Sequence, residues 1–121
     1  MEKRRRILPP LGVFVFLAAA GPAAGQSAPG GLVSGQAFLE MPAGERRAYV
    51  QGLADQLTYL ADSALERGLA WFPACAHRLG AAALETALIR HLKTRPEDLD
   101  EPAARSFMWS TAERCFPGRS E

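Results

Sequence analysis

The sequence predicts a small all-α domain, a four-helix bundle stapled by one disulfide. Apolar residues recur at the three- and four-residue spacing of a helix face in several segments. No run of four residues alternates apolar and polar side chains with β-branched residues, so strand signals are absent. The chain has two cysteines, Cys75 and Cys115, which are enough for a single cross-link.

The amino terminus has the order of a secretory signal peptide. Residues 3–6 are basic, residues 7–20 are mostly apolar, and residues 21–25 are small. The apolar run falls short of the ~20 residues that a membrane-spanning helix needs, which argues against an uncleaved anchor. We therefore predict that residues 1–25 are a signal peptide, cleaved before Gln26, and that the mature protein is soluble and periplasmic.

Removal of this segment changes the charge balance. The chain has 14 Lys and Arg against 13 Asp and Glu; residues 1–25 hold four of the former and one of the latter, which leaves ten against twelve. The mature protein therefore has a net charge of about −2. This charge does not suggest the clustered basic surface that nucleic-acid binding requires. The remaining length supports one small domain.

The first helix is expected to be short. Residues 26–33 are small and glycine-rich and predict a flexible leader. Ser34 is a suitable N-cap for a helix through Met41, with Phe38 and either Met41 or Leu39 turned inward. The segment 42–44, Pro-Ala-Gly, is expected to break it.

The second helix is expected from Glu45 to Glu66, and Gly68 lies where a helix would stop. Its apolar residues fall on one helical face: Tyr49, Val50, Leu53, Leu57, Leu60, Ala61 and Ala64. A loop carrying Trp71, Phe72, Pro73 and Cys75 is predicted to follow it.

The third helix is expected from about Gly80 to Lys93, and Pro96 ends it. Its inward side comprises Leu84, Ala87, Leu88, His91 and Leu92. Asp100 is predicted to cap the fourth helix, with Pro102 in its first turn. The inward positions of this helix are Ala104, Phe107, Met108, Thr111, Ala112 and Cys115, and residues 118–121 are a tail.

The two cysteines are predicted to form an intramolecular disulfide, because export places them in an oxidising compartment. The bond would close a loop of about 41 residues, worth on the order of 4 kcal/mol by chain entropy, and would join the end of the fourth helix to the loop before the third. The alternatives are free thiols or a zinc site built from Cys75, His77, His91 and Cys115. The spacing of those four residues matches no known zinc motif, so we predict no metal and no cofactor.

An enzyme is not expected. Neither His77 nor His91 stands in a nucleophile, metalloprotease or phosphate-loop pattern. His91 lies on the inward face of its helix and is interpreted as a packed histidine. The acidic run within residues 97–101 is interpreted as a solvated turn, or alternatively as a negative patch that docks a basic partner.

Four aromatic residues are candidates for contact with a protein partner. Tyr59 and Trp109 fall off the predicted core faces of their helices, so both are expected to be at least partly exposed. Trp71 and Phe72 lie in the predicted loop, where they either pack over the disulfide or face a partner.

Several segments occur in a recognisable order along the chain: Tyr49 with Gly52 and Asp55, then Cys75, then Leu92 with Pro96-Glu97, then Pro102-Ala103 and Cys115. This set resembles the Tai immunity protein family of type VI secretion systems, small exported bacterial proteins with a helical fold related to the periplasmic acid chaperone HdeA. The resemblance covers residues 34–117.

The resemblance implies an HdeA-like helical protein that binds and inhibits a protein partner, such as a peptidoglycan amidase effector, without catalysis. An HdeA-like periplasmic stress chaperone is the alternative, and a homodimer is compatible with either. The usual Cys-Pro-x-Gly turn of relatives is replaced here over residues 75–78, which makes His77 a further candidate for partner contact.

Five residues of these segments are expected to have structural roles: Tyr49, Gly52, Asp55, Pro96 and Pro102. We expect Gly52 to permit close approach of another segment. Asp55 is expected to cap or pair nearby groups.

Overall fold

The structure, a computed structural model, describes residues 27–28 and 31–118. The helices within this part confirm the predicted all-α class: α1 (Gly35–Glu40), α2 (Ala43–Asp62), α3 (Phe72–Thr94) and α4 (Ala103–Cys115). Short 3-10 turns occupy Arg67–Leu69, before α3, and Pro96–Asp98, before α4. The predicted signal peptide, residues 1–25, lies outside the described residues.

Two very short strands precede the helices. β1 (Ser27–Ala28) pairs antiparallel with β2 (Leu32–Val33). This pairing is not predicted by the sequence, because a two-residue strand is too short to show an alternating pattern.

The cap of α1 is confirmed. Ser34 Oγ accepts a hydrogen bond from the backbone N–H of Ala37 at 3.0 Å, which satisfies one of the donors that a helix start leaves unpaired. Phe38 is fully buried, as expected. After α1 the chain is extended only at Met41 and Pro42, and α2 begins at once. The break between the two helices is therefore confined to Met41 and Pro42, and α2 starts two residues earlier than expected, so that Ala43 and Gly44 are helical.

The end of α2 lies at Asp62, before the predicted stop at Gly68. The hydroxyl of Ser63 donates to the backbone carbonyl of Tyr59 at 2.7 Å. The next residue, Ala64, has a φ of 56°, in the left-handed region where a right-handed helix cannot continue. A serine and an alanine, rather than a glycine, thus end this helix.

The predicted loop at residues 71–75 is wrong, because this segment forms the first turn of α3. Pro73 is tolerated there since its missing N–H would have had no helical partner. Gly80, expected to start the helix, instead interrupts it with a φ of 78° and a ψ of 161°. The third helix is therefore two helical segments joined at a glycine, which readily adopts positive φ.

Past this kink four of the five predicted inward residues of α3 are buried, Leu84, Leu88, His91 and Leu92, while Ala87 is half-buried. The helix ends at Thr94, and the residue before Pro96 is non-helical, as the bulk of a following proline ring dictates.

The start of α4 differs from the prediction. Pro102, not Asp100, is the N-cap residue, and Asp100 is exposed. Tertiary contacts hold this segment extended: Pro102 forms an isolated antiparallel bridge with Ser34, and the N–H of Gly35 donates to the Glu101 carbonyl at 3.0 Å. Phe107 and Thr111 are buried, as expected, but the other predicted inward residues are only half-buried: Ala104, Met108, Ala112 and Cys115. The fully buried face is nonetheless rotated from the predicted one and comprises Ala103, Ser106, Phe107, Ser110 and Thr111.

The core forms where α3 packs against both α2 and α4. The ring centroids of Phe72 and Phe107 lie 6.1 Å apart at 63°, an edge-to-face arrangement that aromatic pairs favour. The buried apolar residues of this core are Phe38, Val50, Phe72, Ala76, Leu84, Leu88, Leu92, Ala103 and Phe107.

A glycine does permit close packing, but it is Gly35 rather than Gly52. A Cβ atom on Gly35 would lie 2.6 Å from Leu92 Cδ2 and 2.9 Å from the backbone oxygen of Asp98. A Cβ atom on Gly52 would have no neighbour within 4 Å, so the expected close approach at Gly52 is wrong. The absence of a side chain at Gly35 lets α1 lie directly against the turn before α4.

We expect Gly35→Ala to lower the free energy of unfolding by about 1–3 kcal/mol, because the methyl group would overpack a buried leucine and a backbone carbonyl. The matched control is Gly52→Ala, expected to raise stability by about 0.5–1 kcal/mol through helix propensity. Urea denaturation followed by circular dichroism measures both. Equal stability of the two variants would contradict the packing that we describe at Gly35.

Candidate functional site

The predicted disulfide is confirmed. Cys75 and Cys115 are bonded, with their Cα atoms 6.0 Å apart, in the usual range for a disulfide. The bond joins the last residue of α4 to the first turns of α3, not to a loop before it. It is compatible with an oxidising, exported location.

The aromatic residues next to the disulfide divide into a buried one and two at the surface. Phe72 is 0 % exposed, so it belongs to the core and offers no surface to a partner. Trp71 is half-buried, and its ring lies 5.7 Å from Phe72 and 5.2 Å from Phe116. Phe72 is therefore packed in the core, one of the two alternatives for this segment. Trp71 and Phe116 form an aromatic pair at the protein surface beside the disulfide.

The other two aromatic candidates are exposed, as expected. Tyr59 on α2 is 63 % exposed and Trp109 on α4 is 58 % exposed. Both project from long helices of the bundle, whose backbone positions are set by core packing. Side chains of this type, held on a rigid support, are common anchors of protein interfaces.

Sequence reasoning missed two further exposed apolar side chains. Leu65, just after α2, is 66 % exposed, and Phe116, just after α4, is 36 % exposed. Each follows the end of its helix, where a helical periodicity no longer assigns a face. The early stop of α2 at Asp62 is the reason that Leu65 falls outside the helix.

His77 is exposed on the first segment of α3 and is available to a partner. Next to it, the guanidinium of Arg78 lies 3.4 Å from the Sγ of Cys75 and packs against the disulfide.

His91 is buried, as expected, and lies between two carboxylates. Its Nε2 is 2.8 Å from Asp98 Oδ2, and its Nδ1 is 3.9 Å from Glu113 Oε1. The second carboxylate also pairs with Arg95, at 3.6 Å. The acidic turn is thus not wholly solvated: Asp98 ties it to α3. Glu113 could not be found as a partner from the sequence, since it comes from another helix.

A buried carboxylate on α3 was also missed. Glu85 is 7 % exposed, and two arginines of α2 approach it: Arg47 Nε donates to it at 2.5 Å, and Arg46 Nε lies 3.5 Å away. Burial of a carboxylate without such partners would be costly. The cluster therefore fixes the relative position of α2 and α3 and has a structural role.

Of the five residues expected to have structural roles, Tyr49 packs with its ring centroid 5.7 Å from that of Phe38. Desolvation by burial raises the pKa of the Tyr49 hydroxyl from its ordinary 10.0. Because the folded-state pKa is the higher one, this group favours the fold below about pH 10 and that contribution is lost at more alkaline pH. Asp55 is exposed, and no described residue pairs with it or is capped by it.

Within residues 31–118 no three or more histidine, cysteine, aspartate or glutamate side chains are grouped so that they could hold a metal ion. No helix of the described part combines the length and the apolar character needed to cross a membrane. Comparison of the chain with protein-family models, with curated proteins and with solved structures gives no match.

Proposed function

We propose that this chain is an exported binding protein of the Tai immunity type, which inhibits a protein partner such as a peptidoglycan amidase effector. The observation that carries the proposal is the exposure of two large aromatic side chains, Tyr59 and Trp109, on a covalently linked helical scaffold. The ordered segments that resemble the Tai family support the same function.

The scaffold suits inhibition by occlusion. Binding is weakened when side chains and loops must be ordered on association, so an inhibitor gains affinity from a surface that is already rigid. The disulfide holds the end of α4 against the start of α3, and the buried Glu85 cluster links α2 to α3. The two exposed aromatic residues are therefore presented from helices that are fixed before the partner arrives.

The inhibitor needs no reacting group of its own. Exposed tyrosine and tryptophan side chains bring large apolar area with few rotatable bonds, which limits the entropy lost when they enter a pocket. The half-buried Trp71 and the exposed Phe116 provide a second aromatic pair near the disulfide. Such groups fill a substrate cleft by shape and apolar contact.

The test is binding to, and inhibition of, purified secreted peptidoglycan amidases, with the product of any hydrolase gene found beside this one as the first choice. We expect Tyr59→Ala and Trp109→Ala each to weaken binding by about tenfold or more, as loss of an interface anchor does. Both residues are exposed, so folding stability should change by no more than about 0.5 kcal/mol. Isothermal titration calorimetry and a cell-wall hydrolysis assay measure the two effects.

The matched control is Leu32→Ala, which removes another exposed apolar side chain, from the strand segment, and should leave affinity unchanged. Parental affinity in both aromatic variants would contradict the proposed surface. Absence of binding to every amidase tested, together with suppression of protein aggregation that rises as pH falls, would favour the stress-chaperone alternative instead.

A further inference from the structure

A groove between α3 and α4 lies apart from the aromatic residues discussed above. Its volume is about 340 Å³, and it is partly open to solvent. The residues that line it are Ala82, Ala83, Thr86, Ala87, Arg90 and Arg114. Three alanines make a shallow floor over which a peptide backbone can come close.

The polar side chains that line the groove are mainly positively charged hydrogen-bond donors. The hydroxyl of Thr86 donates to the backbone carbonyl of Ala82 at 2.9 Å, so its proton is already used. The remaining side-chain donors are the guanidinium groups of Arg90 and Arg114. A ligand of this groove must therefore supply hydrogen-bond acceptors, and carboxylates fit the planar guanidinium fork best.

Arg90 and Arg114 differ from most of the other arginines of the described part in having no carboxylate partner, and they share one groove, whereas the likewise unpaired Arg67 lies outside it. The arginines that pair with carboxylates there are Arg46, Arg47, Arg95 and Arg105. The guanidinium groups of Arg90 and Arg114 have no ion pair or hydrogen bond with any described residue. Glu113 lies next to Arg114 in the chain, but its carboxylate is directed to His91 and Arg95.

We propose that this groove binds an acidic segment of a protein partner, with carboxylates on Arg90 and Arg114 and the peptide backbone over the alanine floor. Charge complementarity selects this occupant. An isolated pair of arginines is too small a basic surface for nucleic acid, whose affinity comes from neutralising many phosphates. The groove contains neither Tyr59 nor Trp109, so the proposal stands independently of the proposed inhibitory function.

The test uses protein purified from the periplasm after expression of the full chain, with its disulfide intact. The probe is a short peptide of consecutive glutamates, compared with the same peptide carrying glutamines, and binding is followed by amide chemical shifts in NMR. We expect the glutamate peptide, but not the glutamine peptide, to change the amide chemical shifts of residues 82–90 and 114. These changes should decrease as the salt concentration is raised.

Arg90→Gln combined with Arg114→Gln should weaken this binding by about three- to tenfold, the range for two solvent-exposed ion pairs. The matched control, Arg67→Gln with Lys93→Gln, removes the same charge from exposed residues outside the groove and should bind as the parent does. A second variant, Ala82→Leu, should block the groove without altering charge.

Three results with the peptides would overturn the proposal, and one result with phosphate would do so as well. The results with the peptides are equal binding of the glutamine peptide, unchanged binding in the arginine double variant, and chemical shifts that lie outside the groove. Inorganic phosphate is the last arm of the experiment: if it reproduces the shifts at the same concentration as the peptide, the groove is a site for free anions and not for an acidic segment.

Discussion

Replacement of both cysteines, Cys75→Ser with Cys115→Ser, is expected to lower the free energy of unfolding by about 2–4 kcal/mol. The bond joins residues separated by 40 positions, and a loop of that length restricts the unfolded chain by about 4 kcal/mol in the entropic model. Net stabilities of small domains are about 5–15 kcal/mol, so the expected loss is a large share of the total.

Urea denaturation with circular dichroism measures this loss. The parent protein treated with a reductant serves as the control and should unfold at the midpoint of the double variant. A helical spectrum should persist in the fraction that stays folded, because the aromatic core does not include the sulfur atoms. A double variant that matches the oxidised parent in its midpoint would show that the disulfide contributes nothing to stability.

Phe72→Ala is expected to have a still larger effect, a loss of about 3–5 kcal/mol. The Phe72 ring is fully buried and packs edge-to-face with both Trp71 and Phe107. Its removal leaves a cavity in the core between α3 and α4, which rigid helices linked by a disulfide cannot readily close.

Trp109→Ala is the matched control, since it also truncates an aromatic residue of a helix but at a site that is 58 % exposed. Its stability should lie within about 0.5 kcal/mol of the parent. Equal denaturation midpoints for the parent and Phe72→Ala would mean that this side chain is exposed, the partner-facing alternative that the sequence left open, and would contradict the packing of Phe72 described above.

The loop predicted at residues 71–75 was wrong because the local sequence is compatible with both a loop and a helix. Trp71, Phe72 and Pro73 form a cluster that is typical of a loop, and Gly80 offers an obvious helix start. Proline is nevertheless compatible with a first helical turn, and glycine is compatible with a kink inside a helix. Only the burial of Phe72 against α4 selects the helical alternative.

Contacts with distant segments also explain why the predictions for Gly52 and Asp100 were wrong. Gly52 and Gly35 look alike as sequence letters, yet only Gly35 has a leucine and a carbonyl of other segments beside it. Asp100 has the chemistry of an N-cap, but backbone hydrogen bonds from α1 to residues 99 and 101 hold the chain extended past it. Neither partner segment can be identified from the local sequence.

The sequence by itself determined the all-α class, most of the inward face of α3, the Ser34 cap and the cysteine pairing, because these depend on periodicity, on short-range hydrogen bonds or on there being two cysteines. The predicted inward face of α2 holds only in part: Val50 is buried and Leu53 is half-buried, but Ala64 is exposed and lies beyond the end of the helix. The tertiary structure alone decided which charged groups meet. Glu85 finds its arginines on another helix, while Arg90 and Arg114 converge on one groove and find no carboxylate among the described residues. Contacts between distant segments depend on how helices cross, and no local pattern in the chain records that geometry.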